Sequence, residues 1–107
     1  MVNKNNFDFE DSPQASILAP AVDETQLGLL SCNVSSNPES TITLYRLVNG
    51  AEQIVDGTVS GRNVLRYTID NASREDAGTY RCKTNNQFGR DDQNTRLIVR
   101  CKFNSLK

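Results

Sequence analysis

Along the stretch TQLGLLSCNV the apolar residues keep a period of two. Leu30, Cys32 and Val34 fall on one side of an extended chain, and Leu29, Ser31 and Asn33 on the other. The same alternation returns in TITLYRL, where Ile42 and Leu44 oppose Thr43, Tyr45 and Leu47, and in NVLRYTI, where Leu65, Tyr67 and Ile69 share a face. In TYRCKT it puts Tyr80, Cys82 and Thr84 inward; in TRLIVR it puts Leu97 and Val99 inward and Arg96, Ile98 and Arg100 outward. Turn signals separate these runs roughly every 8–12 residues, and no long stretch keeps a helical period, so the chain reads as an all-β sandwich or barrel. SILAP, flanked by Pro13 and Pro20, reads as an edge strand, because proline cannot donate to a ladder. Asn49-Gly50 marks a tight turn. SSNPES and NNQFGRDD read as loops, Ser73 with Asp76 as the cap of one short helical turn, and residues 51–61 carry only weak patterning.

Composition narrows what such a chain can do. At 107 residues and 36% hydrophobic content the core is modest, so a covalent staple would help. The formal net charge of −1 argues against nucleic acid as a partner. No apolar run approaches the roughly 20 residues that cross a bilayer. MVNKNNFDFEDSPQ has no apolar core of a signal peptide, and a fragment of a larger protein would lack one as well. Residues 1–12 read as a polar arm or linker and 101–107 as a C-terminal linker around a domain at 13–100. The chain has no histidine and no Cys-x-x-Cys, which leaves neither the usual general base nor a zinc set; no cofactor or metal is expected. Three cysteines, Cys32, Cys82 and Cys101, are compatible with one disulfide and a leftover thiol, or with a reduced protein.

Asp76-Ala77-Gly78-Thr79-Tyr80-Arg81-Cys82, with Cys32 50 positions upstream of Cys82, resembles the signature of an immunoglobulin domain. The resemblance spans residues 13–100 and implies an antiparallel Greek-key β-sandwich. The short cysteine spacing and NNQFGRDD are similar to the intermediate (I-set) or C2-like type, common in adhesion proteins, receptor ectodomains and muscle scaffolds. It implies a Cys32–Cys82 bridge between the sheets, and a tyrosine corner in which Tyr80 bonds back to the upstream backbone while Asp76 and Gly78 shape the turn. Cytosolic members of the family keep both thiols reduced as small core residues. Leu44 stands where the family carries tryptophan, 12 residues after Cys32, so the core needs compensation, from Tyr67 or Ile42. Cys101 has no role in the pattern.

Placed on that template, alternation gathers Tyr45, Leu47, Arg81, Lys83, Arg96, Ile98 and Arg100 on the outer face of one sheet. That set holds four cations and no acid, which suits an acidic glycan or a protein surface. Phe88 sits at a hairpin tip, as a contact residue or folded on its own hairpin. Asn33-Val34-Ser35 and Asn71-Ala72-Ser73 are N-glycosylation triplets at about the frequency chance gives in so Asn- and Ser-rich a chain; Asn71 looks the more accessible acceptor, and Asn33 crowded by a neighbouring strand. The expected function is a non-catalytic binding or adhesion module of a larger extracellular or cell-surface protein, with a homophilic or heterophilic protein partner or a glycan. The alternative is a structural spacer in a cytoplasmic muscle or cytoskeletal scaffold.

Overall fold

The computed structural model of the chain describes residues 11–60 and 63–101. Among these the strands are β1 (Asp11–Leu18), β2 (Val22–Asp23), β3 (Gly28–Asn37), β4 (Thr41–Val48), β5 (Ala51–Ser60) and β6 (Val64–Ile69). A single 3-10 turn, Arg74–Asp76, leads into β7 (Gly78–Asn86), β8 (Gly89–Leu97) and β9 (Val99–Arg100). One antiparallel sheet has the order β1-β3-β6 and the other β5-β4-β7-β8; β2 and β9 form a short parallel pair. The expected sandwich is what forms. The arm expected at 1–12, apart from Asp11 and Ser12, and the linker at 102–107 lie outside the described residues.

Period two decides which side chains are buried. Leu30, Cys32 and Val34 of β3, Ile42 and Leu44 of β4, Leu65 of β6, and Tyr80, Cys82 and Thr84 of β7 all point into the core. Cys32 and Cys82 are joined by a disulfide that ties β3 to β7 across the sandwich. Leu44 lies opposite Cys82 in the β4–β7 register and is 1% exposed, a core residue on the strand beside the one that carries Cys82. Ile42 is fully buried near it, and Tyr67 packs against the core from β6.

Four segments differ from the sequence reading; in one of them, SSNPES, Ser35–Asn37 extend β3 and only Pro38–Ser40 remain between the strands. The first strand starts at Asp11 rather than within SILAP. Buried Pro13 is accommodated in it because the register with β3 shifts between Asp11 and Gln14, at the outer edge of the sheet. The loop expected over NNQFGRDD shrinks to a turn at Gln87 and Phe88, and Asp91 and Asp92 belong to β8. Residues 51–60, weakly patterned in sequence, form β5. The Asn49-Gly50 turn, with both residues at positive φ (53° and 83°), folds them directly back along β4.

The first and last strands meet along a seam. The Ala15 N–H of β1 donates to the Asp91 carboxylate of β8 at 2.8 Å, capping a donor that the β1–β3 ladder does not use. Gly89 lies so near Ser12 that a Cβ on it would stand 2.9 Å from the serine Cβ. Further along, the Val22 N–H donates to the Ile98 carbonyl and the Glu24 N–H to the Arg100 carbonyl, each at 2.9 Å.

Candidate binding face

The entry to β7 is built around Tyr80. Asp76 accepts the Ser73 N–H on its carboxylate at 2.9 Å, closing the short helical turn. Gly78, at φ +144°, takes the left-handed geometry that follows, and Tyr80 reaches back to donate its hydroxyl proton to the Asp76 carbonyl at 2.6 Å. Burial pushes the Tyr80 phenol up from its ordinary pKa, so it stays a neutral donor. Arg46 lies 5.7 Å from the Tyr80 ring centroid and donates to the carbonyls of Glu75 and Ala77, the latter at 2.9 Å. The corner is therefore held from β4 as well as from its own strand, a clasp that sequence reasoning did not anticipate.

With β7 fixed, its alternate residues Thr79, Arg81, Lys83 and Asn85 point out of the sandwich. The cross-strand register sets Ile54, Tyr45, Arg81 and Asn94 in one row across the four strands. Further along, Glu52 lies opposite Leu47 on the β5–β4 side and Thr79 opposite Arg96 on the β7–β8 side. Five of the seven residues expected on this face thus come together: Tyr45, Leu47, Arg81, Lys83 and Arg96. Ile98 and Arg100 do not, because the chain leaves the sheet after Leu97 to pair with β2. Arg100 there faces Asp23, with Nε 2.8 Å from Oδ1.

The face is not acid-free. Glu52, brought back by the Asn49-Gly50 turn, accepts from Arg81 Nη1 at 2.7 Å on one oxygen and from Lys83 Nζ at 3.0 Å on the other. These hydrogen bonds hold the Glu52 carboxyl below its ordinary pKa. Asp92 lies opposite Lys83 in the β7–β8 register. Arg81 Nε also donates to Asn94 Oδ1 at 2.9 Å, and the Lys83 ammonium stands 5.2 Å from the centroid of the Tyr45 ring. Beside this network Ile54 is 65% exposed. The result is an apolar centre of Ile54, Tyr45 and Leu47 beside charges that are paired with one another.

Glu52 and Ile54 were missed because residues 51–61 lack a strong alternation. The signal was the two-residue turn, which alone sets Glu52 opposite Leu47 and Ile54 opposite Tyr45. Phe88, at the tip of the β7–β8 turn, is 42% exposed, and its N–H is held by the Asn86 side chain. Asn33 and Asn71 are both exposed; Asn33 lies on the outer face of the three-stranded sheet and donates to Ser31 Oγ at 3.4 Å. Cys101 is an exposed thiol. No three His, Cys, Asp or Glu residues among those described cluster as metal ligands.

A family model described as an immunoglobulin domain matches residues 12–86. The chain belongs to the immunoglobulin domain family. No curated protein matches the chain. Among solved structures, this immunoglobulin domain superposes on an I-band fragment of titin with a TM-score of 0.67 at 21% identity, covering 85% of this chain and 33% of the fragment. A titin structure in a trigonal form gives 0.66 at 24% identity, covering 84% of this chain and 97% of that one. The C. elegans twitchin kinase fragment, which carries protein kinase and immunoglobulin domains, gives 0.65 at 19% identity over 84% of this chain and 21% of its own. This immunoglobulin domain thus spans about a third of the I-band fragment, and at these identities the likeness speaks for the fold.

Proposed function

We propose that this immunoglobulin domain is a non-catalytic binding module of a larger extracellular or cell-surface protein, and that it engages a protein partner, homophilic or heterophilic, through the outer face of the four-stranded sheet. The observation that carries the reading is Ile54, 65% exposed beside Tyr45 and Leu47 and next to the Arg81–Glu52–Lys83 network. An apolar and aromatic centre beside satisfied charges is the anatomy of a protein interface. It suits a glycan less well, because Glu52 and Asp92 offset the cations on which an acidic polysaccharide depends. A pair of titin domains of this fold, 17% identical, has been solved in complex with telethonin, a protein partner. The opposite face carries Leu18 and Leu29 but also Asn33, where a glycan would cover it.

A photo-crosslinking residue placed at position 54 or, on the opposite sheet, at position 68 tests this on intact cells. The expected result is a protein adduct from position 54 that excess unlabelled domain abolishes, and none from position 68. Equal adducts from both positions, or none from either, would overturn the reading.

The Cys32–Cys82 bridge supports the extracellular setting, since such bonds persist in oxidising compartments. The intracellular alternative, a spacer in a muscle or cytoskeletal scaffold, draws on the likeness to titin and twitchin. Alkylation of natively sourced protein in denaturant without reductant separates the two. Labelling of Cys101 alone supports the extracellular setting, and labelling of all three cysteines the scaffold.

A further inference from the structure

Arg81 and Lys83 stand two residues apart on β7 and point the same way, so their charges repel. Glu52 resolves that repulsion from the edge strand β5, giving one carboxylate oxygen to each cation at 2.7 and 3.0 Å. The cations are further fixed by Asn94, which accepts from Arg81 Nε, and by Tyr45, over whose ring Lys83 lies. Without Glu52, an oriented guanidinium and ammonium pair of this kind would be ready to donate to the oxygens of sulfate groups. With it, an incoming sulfated chain must displace a carboxylate that has nowhere distant to go. The chain would then gain two cations and face one more anion beside them.

We propose that Glu52 is a built-in counter-ion that closes the Arg81–Lys83 pair to sulfated polysaccharides and so restricts this face to protein partners. A partner that seats an apolar side chain on Ile54 and Tyr45 leaves the network intact, whereas a polyanion has to break it. The proposal deepens the reading of the four-stranded face as a binding surface and rests on it. Its test is nonetheless independent of any partner.

The experiment compares binding to immobilised heparin for the unmodified domain, Glu52→Gln, Glu52→Ser, and Glu52→Gln combined with Arg81→Ser and Lys83→Ser. The unmodified domain should elute below about 0.15 M salt, where exposed charges are already screened. Both single variants should bind about tenfold more tightly at fixed salt, the equivalent of one or two cations released to a polyanion, with a steeper salt dependence. The triple variant should fall back to the unmodified level. Two different replacements at Glu52 keep a folding defect in one from deciding the outcome. Unchanged elution of both single variants, or an unmodified domain retained as strongly as they are, would overturn the proposal. Loss of the position-54 adduct with the heparin shift intact would instead overturn the protein-binding reading and leave the counter-ion role standing.

Discussion

Reducing the Cys32–Cys82 bond should cost this domain about 4 kcal/mol of stability at 25 °C. The bond closes a loop with a sequence separation of 50, and the chain-entropy relation for a loop of that length gives about that figure, almost all of it from the unfolded state. Reduction removes no heavy atom from the core, where Cys32 and Cys82 are 1% and 0% exposed in the bonded protein, so the comparison chiefly reads the lost restraint. Against a total of roughly 5–15 kcal/mol for a small domain, the loss is large. The assay is urea unfolding followed by far-UV circular dichroism, since the chain has no tryptophan to report by fluorescence. A Cys101→Ser background removes thiol exchange from the exposed cysteine. The midpoint should fall by roughly 2 M, and the urea dependence should steepen because the reduced unfolded chain is more open. A loss below about 1 kcal/mol with an unchanged slope would refute the loop-closure account of this bond.

Tyr80→Phe removes the donor to the Asp76 carbonyl and should cost about 1–2 kcal/mol, read as a melting point lower by several degrees. Gly89→Ala sets a Cβ 2.9 Å from that of Ser12 at a φ of +156°, so it should destabilise by about 1–3 kcal/mol and speed hydrogen exchange at the Ala15 amide, whose acceptor is on the same strand. Glu52 titrates below its ordinary value of 4.5 in the folded protein, so its stabilising contribution is complete above that pH and disappears as pH falls through the lower folded value. Carboxyl-carbon NMR should show the depressed titration, and Arg81→Ser with Lys83→Ser should return it toward 4.5.

The buried half of this fold was legible because period two is a local property. Leu30, Cys32 and Val34, or Tyr80, Cys82 and Thr84, declare their side of the sheet within six residues, and burial agrees with them. Tyr80 and Asp76 were legible for a similar reason: their contact spans four residues. The features that escaped are those set by neighbours distant in sequence. β5 is an edge strand whose first four residues are all exposed, so its opening carries no alternation to announce it, and Glu52 meets Arg81 across 29 positions. Asp91 looked like loop chemistry beside Asn85, Asn86 and Gly89. It turns inward because β1, 76 positions away, presents an N–H that its own ladder does not use. Arg100 follows the alternation of β8 correctly, but the chain changes partners at Ile98, and alternation alone does not say which strand comes next.

The seam between the first and last strands has a mechanical consequence. Ser12 lies by Gly89, Ala15 by Asp91 and Val22 by Val99, so the two ends of the domain run side by side in the same direction. The chain therefore comes in at the Phe88 end and leaves at the opposite one. A pull on both flanks draws these strands past each other, along their own axes. The Ala15–Asp91, Val22–Ile98 and Glu24–Arg100 hydrogen bonds lie across that direction and share the load. They have to give way together rather than unzip one at a time. The seam thus joins the opening and closing strands of the fold side by side, where a force on the two ends would act as shear rather than as peeling.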